Sequence, residues 1–399
     1  MKESSDIEPV RDSFLPYGRQ FIDQEDIQAV INVLKSDYLT TGPEIHRFEK
    51  RIAEYVGAKY AVAFSNGTAA LHAACFAAGI QQDDEVITTP LTFAASANCV
   101  LYQGGNPVFA DIDEQTYNLD PEEVRKKITS KTKAMIPVDF TGQPVCLDKI
   151  IEIAKEHDLV VIEDAAHALG STYKGKKVGS ISDMTMFSFH PVKQITTGEG
   201  GMITTNHKEY YEKLVQFRSH GITRDREKLM NDHGPWYYEM QHLGFNYRMT
   251  DIQAALGNSQ LNKLDRFIFR RREIAIMYQK AFKDMDEVIL PLQGNDGQSS
   301  WHLFILRFKS KKLFVDRKTI YTELTKQNIG VNVHYIPVYL FPYYQQLGYQ
   351  QGLCPVAEKV YEEMITLPLH PSMTDEDVQD VITAVKKVIQ KYSTNKGIK

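Results

Sequence analysis

Residues 60–79 read YAVAFSNGTAALHAACFAAG. Tyr60–Phe64 is a short apolar run of the kind that fills a buried strand. Ser65-Asn66-Gly67 is a small polar turn. From Thr68 the residues are strong helix formers, and Gly79 stops them. A strand therefore passes directly into a helix through three small residues. Such a turn exposes backbone N–H groups at the positive end of the helix dipole, which suits a phosphate. The turn is neither G-x-G-x-x-G nor G-x-x-x-x-G-K-[ST], so it supports neither a dinucleotide fold nor a P-loop. Taken alone, the same turn can serve as a plain strand-to-helix connection.

The alternation continues on the C-terminal side. EVITTP (85–90), PVFADI (107–112), KAMIPVDF (133–140) and LVVIEDAA (159–166) read as strands. FAASANCVLYQGG (93–105) and LDKIIEIAKEHD (147–158) read as helices between them. Near-continuous apolar strands separated by helices predict an α/β fold with a mostly parallel sheet covered on both faces. After Asp164 the texture is Gly- and Ser-punctuated, with GMITT (201–205) as a strand and KEYYEKLVQFRSHG (208–221) as a helix.

On the N-terminal side, IDQEDIQAVINVLKSD (22–37) predicts a helix capped by Asp23. Its apolar positions, Ile27, Val30, Ile31 and Leu34, recur at helical spacing. Asn231–Arg248 reads as a long irregular segment rich in Trp, Tyr and His. Thr250 and Gln253 form a capping box, and one long helix is expected from there to about Phe282. WHLFILRF (301–308) and VNVHYIP (331–337) are expected as strands, and residues 374–393 as an amphipathic helix. The expected organisation is a large domain over 20–265 and a smaller α+β domain over 266–399. Residues 1–19 are expected near the smaller one, with the long helix as hinge.

Composition narrows the function. The 399 residues carry 46 Lys and Arg against 51 Asp and Glu, a net charge of −5. No basic excess points to nucleic acid or an anionic membrane. No apolar run approaches the ~18 residues of a spanning helix. The N-terminus, MKESSDIEPVRDSF, lacks the apolar stretch of a signal peptide. A cytoplasmic protein without membrane or nucleic-acid partners is expected. Cys75, Cys99, Cys146 and Cys354 form no C-x-x-C pair and no zinc spacing, so reduced thiols and no metal are expected.

Two further stretches carry chemistry. Val160–His167, VVIEDAAH, places two acids at the end of a buried strand, where open α/β sheets bind ligands. Phe187–Gly201, FSFHPVKQITTGEGG, sets one lysine, Lys193, in a loop of small uncharged residues. A lysine with little cationic company can lose its proton and attack a carbonyl. A phosphate turn, a strand-end carboxylate and such a lysine, in this order, are the parts of a pyridoxal-phosphate enzyme.

The chain resembles the DegT/DnrJ/EryC1/StrS family of sugar-nucleotide aminotransferases. The resemblance runs from about Pro16 to the C-terminal helix. It is carried in order by SNGTAAL, TTPLTFAASAN, PVFADID, IEDAAHALGS, FSFHPVKQITTGEGGMITTN, FRSHG, GFNYRMTDIQAALGNSQL and VHYIP. It implies a fold-type I transferase with a seven-stranded-type central sheet. It implies pyridoxal 5'-phosphate as cofactor and Lys193 as the Schiff-base lysine. Asp164 then pairs with the pyridine nitrogen, and Phe93 stacks on the ring. Gly67, Thr68, Ala69 and Ser188 hold the phosphate, and His167 stands where a glutamine is commoner. Asn246 reaches the phosphate of a neighbouring subunit, so a homodimer with shared active sites is implied. Tyr17, Tyr38, Thr40, Asn332, His334 and Tyr335 match sugar-nucleotide positions, and Arg248 suits the donor's carboxylate or a phosphate.

Pro191-Val192 before the lysine, together with LTTG (39–42) and VHYIP, is most similar to the pseudaminic-acid branch of the family. The substrate this implies is UDP-2-acetamido-2,6-dideoxy-β-L-arabino-hexos-4-ulose, aminated at C4 with L-glutamate as donor. Other UDP-, dTDP- or GDP-linked 4-keto-sugars, a cofactor-binding regulator without turnover and a dehydratase are the alternative readings.

Overall fold

The computed structural model describes residues 8–231, 233–294 and 296–394. Seven strands form the central sheet: β1 (Tyr60–Phe64), β2 (Glu85–Thr88), β3 (Asn106–Phe109), β4 (Thr132–Ile136), β5 (Val160–Asp164), β6 (Met184–Ser188) and β7 (Gly201–Thr205). Their order is β1-β7-β6-β5-β4-β2-β3. Only β7 is reversed, antiparallel to both β1 and β6. The other pairs run parallel. Six strands therefore end on the same edge, and their C-terminal turns converge there.

Alternation within each strand splits the core over the two faces. On one face Val62, Phe64, Ala134, Ile136 and Ile162 pack against α3 (Gly67–Ala77), α4 (Ala95–Tyr102) and the helix Lys208–Phe217. Helix α3 buries eight of its eleven residues, five of them alanines, because it lies between the sheet and its neighbouring helices. On the other face Ala61, Ala63, Phe187 and Met202 meet the helices Pro43–Val56, Asp251–Leu261 and Leu264–Phe282. Ile87, Met135 and Val161 pack there against the helix Leu147–His157.

A second, antiparallel sheet follows, with β8 (Val288–Ile289), β9 (Phe304–Phe308) and β10 (Met364–Leu367) in that order. It shares an apolar cluster with the helices Arg317–Lys326 and Asp375–Tyr392. Leu15 joins that cluster, and its N–H donates to Asn328 O at 2.9 Å. The helix Leu264–Phe282 serves both cores. Phe267 and Ile268 belong to the first, Tyr278 and Phe282 to the second.

Three expectations need correction. The long helix from Thr250 is two helices, Asp251–Leu261 and Leu264–Phe282. Asn262 and Lys263 form a turn between them, and the Lys263 ammonium pairs with Asp23 and, at 3.0 Å, with buried Asp26. The capping box of Thr250 and Gln253 is present. VNVHYIP is not a strand. It makes one bridge, Asn332 to Thr366, then leaves the sheet to wall a cavity. The helix Gln24–Leu34 has its Asp23 cap, but its apolar stripe is only partly covered, with Val30 and Ile31 half-buried. Ile27 and Leu34 are exposed, while Asp26 and Val33 are buried. Asp26 is held inside by Ser259 Oγ at 2.6 Å and Gln260 Nε2 at 2.7 Å, which fixes the helix's rotation.

Among the described residues no helix is long and apolar enough to cross a membrane. Cys75, Cys99 and Cys354 are buried, and Cys146 is half-buried.

Candidate active site

A cavity of about 900 Å³ opens where the parallel strands end. Its floor begins at the turn after β1. Asn66 caps α3: its Oδ1 accepts the Ala69 N–H at 2.8 Å and its backbone oxygen the Ala70 N–H at 3.1 Å. The first-turn amides of Gly67 and Thr68 have no acceptor within the helix, so they remain for a ligand. Ser188, at the end of β6, stands beside this turn, 3.5 Å from where a Cβ on Gly67 would lie.

Gly201 opens the reversed strand β7 against the same turn. A Cβ there would lie 2.5 Å from Asn66 O and 2.8 Å from Gly67 N, both backbone atoms. Gly201→Ala is therefore expected to push the turn away. It should cost about 1–3 kcal/mol of stability and weaken phosphate binding with it. A thermal melt and an inorganic-phosphate titration check this. Wild-type values in both would remove the turn from the binding site.

Asp164 ends β5 and is almost fully buried. Ser96 Oγ donates to its Oδ2 at 2.6 Å, and the Ala166 N–H to its Oδ1 at 3.1 Å. Thr92 Oγ1 lies 2.7 Å from Ser96 Oγ and extends the chain of hydroxyls. Burial pushes the Asp164 carboxyl up, and these two donors oppose the shift. Lys193 lines the same cavity, enclosed apart from the surface it turns to that space. Burial pushes its amine down to about 8. The Asp164 carboxylate opposes that shift, and the buried Arg271 guanidinium adds to it. A buried carboxylate and an amine able to lose its proton near neutrality thus face one space.

The opposite wall comes from the second half of the chain and from residue 17. Tyr17 and His334 have ring centroids 5.2 Å apart. His334 Nε2 lies 3.3 Å from Asn332 Nδ2, and its Nδ1 lies 2.8 Å from Thr366 Oγ1. Burial, with the charge of Lys193, pushes His334 down to about 3, so it is neutral. Tyr335 Oη lies 3.4 Å from His167 Nε2. His167 Nδ1 is buried without a partner, and His302 packs against the ring at 4.2 Å. Burial holds both imidazoles neutral, and the Lys193 charge pushes each the same way. Phe93 lines the cavity with a ring that is 63% exposed, an uncovered aromatic face.

Most of the expected residues therefore meet in one place: Gly67, Thr68, Ala69, Phe93, Asp164, His167, Ser188, Lys193, Tyr17, Asn332, His334 and Tyr335. Four do not. Tyr38 lines a separate polar cleft between the first helices and Asp251–Leu261. Thr40 is exposed and bridges Thr250, and Asn246 is exposed and bridges Ser219. Arg248 is half-buried outside the cavity. Sequence reasoning passed over Ser96, Thr92, Tyr247, Glu199 and His302. Ser96 had a signal, a hydroxyl in the first turn of a helix that follows a strand. His302 had none, since it reads as one more letter of a strand.

The fold and site define an α/β enzyme whose cavity at the strand ends is lined by both a lysine and a buried carboxylate. Residues 20–386 match the DegT/DnrJ/EryC1/StrS aminotransferase family, and the chain belongs to it. It is similar to the spore coat polysaccharide biosynthesis protein SpsC of Bacillus subtilis, 46% identical over 95% of this chain and 98% of that one. It is 38% identical to the UDP-4-amino-4,6-dideoxy-N-acetyl-beta-L-altrosamine transaminase of Campylobacter jejuni, over 94% of this chain and 98% of that one. Among solved structures it resembles Helicobacter pylori PseC, an aminotransferase involved in the biosynthesis of pseudoaminic acid. The TM-score is 0.88 and the identity 36%, covering 95% of this chain and 100% of that one. It also resembles the PLP-form of the sugar aminotransferase Spr1654 of Streptococcus pneumoniae. There the TM-score is 0.88 and the identity 33%, covering 95% and 99%.

Proposed function

We propose that the protein is a pyridoxal-phosphate-dependent sugar aminotransferase. In this reading it moves the amino group of L-glutamate to C4 of UDP-2-acetamido-2,6-dideoxy-β-L-arabino-hexos-4-ulose. The observation that carries this reading is one cavity lined together by the free first-turn amides of α3, Asp164 and Lys193.

The residues fit the cofactor group by group. The amides of Gly67 and Thr68, with the Thr68 and Ser188 hydroxyls, suit a phosphate. The buried Asp164 carboxylate suits a pyridinium N–H, since a buried anion needs a cation. The unpartnered Nδ1 of His167 suits the ring oxygen, and the uncovered Phe93 suits a ring face. Bound there, pyridoxal phosphate supplies an electron sink that stabilises charge left on a carbon when its proton departs.

The chain's own groups do the rest. Asp164 keeps the ring nitrogen protonated. Lys193 takes the proton from the amino-acid carbon and later returns one to C4 of the sugar. The wall of Tyr335 and buried His334 limits the access of water to that exchange. Tyr17, Asn332 and His334 orient the nucleotide sugar, whereas Arg248, outside this cavity, would hold the donor carboxylate or a phosphate only across a subunit interface. The enzyme works in the cytoplasm on UDP-linked 4-keto-sugar.

A homodimer completes the site. Ile22, Ile27, Leu34 and Leu39 form an outward apolar surface on and around the first helix, which a second copy would cover. Asn246, together with Tyr38 and Thr40, would then reach the partner's cavity. Sedimentation as a monomer at assay concentration would remove this wall from the reading.

The test is a visible spectrum of the purified protein before and after glutamate, then a panel of nucleotide 4-keto-sugars. A yellow protein bleached by glutamate, with amination of the UDP-N-acetyl-6-deoxyhexosulose, is the expected result. A colourless protein after added pyridoxal phosphate sinks the cofactor and the reaction together. The higher identity to the spore coat protein favours a second reading, the same chemistry on a different nucleotide sugar. Preference for another sugar in the panel would select it.

A further inference from the structure

Behind Asp164 lies a pair of acids that the proposed reaction does not use. Asp139 and Glu163 are both fully buried. Glu163 Oε2 accepts from Ser182 Oγ at 2.9 Å and from Thr185 Oγ1 at 3.0 Å. Asp139 Oδ1 accepts the Val145 N–H at 2.9 Å. One oxygen remains on each carboxyl, Asp139 Oδ2 and Glu163 Oε1, and both are buried without a partner. Val138 bridges Asp164 in parallel register, so by alternation the Asp139 and Glu163 side chains share one face of the sheet on adjoining chain segments.

We infer that Asp139 and Glu163 share one proton between these two oxygens, and that the pair is a positioning device for Asp164. Two neighbouring carboxylates in a dry interior cannot both stay ionised without a cation. One proton turns the two orphaned acceptors into a single O–H···O bond, among the stronger kinds in a protein. Burial and the facing Glu163 hold the Asp139 carboxyl well above its usual range, and Asp164 acts in the same sense. Burial also raises Glu163, while its hydroxyl donors oppose that.

The pair's place in the fold gives it consequences. Asp139 lies three residues past β4, and its N–H donates to Asp164 O at 3.0 Å. Asp164 N–H donates to Pro137 O at 2.8 Å. Glu163 precedes Asp164 on β5 and takes the other face of the sheet by alternation. The shared proton therefore ties the chain after β4 to β5 at the last residues before Asp164. Beyond Asp139 the chain turns through Phe140–Gly142, where Thr141 O accepts the His302 N–H at 2.8 Å. The Phe140 ring packs 6.1 Å from both His167 and Tyr335. The clamp thus reaches the cavity wall as well as the carboxylate.

Infrared spectroscopy of the full chain in heavy water at neutral pD tests the shared proton. A protonated-carboxyl C=O band is expected in the wild type and in Asp164→Asn, and is expected to vanish in Glu163→Gln and in Asp139→Asn. A band that survives in both of the latter overturns the inference. Positioning is read by titrating the cofactor. Glu163→Gln keeps an N–H donor for Asp139 and should bind pyridoxal phosphate within about threefold of wild type. Glu163→Ala strands a buried carboxylate and should weaken binding about tenfold or more. Equal affinity in the two variants overturns the positioning role. If Glu163→Ala does not fold, Asp139→Ala and Asp139→Asn make the same comparison. The same split is expected, and equal affinity in that pair overturns the positioning role. The positioning half rests on the assignment of Asp164 to the cofactor. A protein that binds no cofactor would remove that assignment and leave the band where it is.

Discussion

Lys193→Ala is expected to lower turnover by roughly 10³-fold or more while leaving the protein folded. The side chain lies at the cavity, so its removal opens no hole in either apolar core. What vanishes is the one amine there that can take and return a proton. Its ordinary value of 10.5 would leave almost none of it neutral at pH 7, but burial brings it to about 8. The sign of the pH dependence follows. Below about pH 8 the amine is mostly protonated and idle, so activity should rise about tenfold per unit and then level off above it. Lys193→Arg separates charge from proton transfer. It keeps the positive charge but cannot give up its proton, so it should be as inactive as the alanine variant. Added small primary amines should restore part of the turnover to Lys193→Ala and none to Lys193→Arg, whose side chain fills the space. Steady-state rates with and without amine decide it. More than a hundredth of wild-type turnover in Lys193→Ala without amine would take the proton transfer away from this residue.

Much of this site was legible in the sequence, because its parts are local. The turn after β1 announces itself by Asn66 and Gly67 between a strand and an alanine-rich helix. Asp164 ends an unbroken apolar strand, and Lys193 stands alone in a run of Ser, Thr and Gly. What the sequence hides is what side chains far apart do to one another. Asp26 looks like surface on a helical wheel, yet Ser259 and Gln260 draw it inside and leave Ile27 and Leu34 of the apolar stripe exposed. Lys263 looks like one more helix former in a long run, yet Asp23 and Asp26 hold it at the break between two helices. VNVHYIP has the alternation of a strand, but alternation states only which residues face together. Whether a neighbouring strand exists is decided elsewhere in the chain, and among the described residues none pairs with it beyond Asn332. Ser96 lowers the Asp164 carboxyl through a hydrogen bond and His302 packs on the His167 ring, contacts that no spacing rule carries.

Asp164→Asn is expected to stabilise the cofactor-free protein and to cut its turnover by roughly 10²–10³-fold. Wild-type Asp164 pays for its ionised state with lost hydration, which is why burial raises it above its usual value of 3.8. Below its unfolded value the acid is protonated in both states, and the fold bears no penalty. As pH rises through the folded value the buried charge appears and stability falls. At neutral pH the cofactor-free wild type therefore carries a penalty that the asparagine variant lacks. The amide fits without new orphans: Ser96 Oγ can accept from it and pass its own proton to Thr92 Oγ1, 2.7 Å away. A rise of about 2–6 °C in the cofactor-free melting temperature is expected at pH 7, shrinking toward pH 4. With pyridoxal phosphate the order should reverse. The pyridinium N–H supplies the missing partner in the wild type and finds only a neutral amide in the variant, so the wild type should gain more on binding. Four melting temperatures, two proteins with and without cofactor, isolate that coupling. Equal gains in both proteins, with turnover within tenfold of wild type, would mean that Asp164 does not face the ring nitrogen. Unequal gains in the expected direction would show a carboxylate kept at a cost to the fold because the bound cofactor needs its charge.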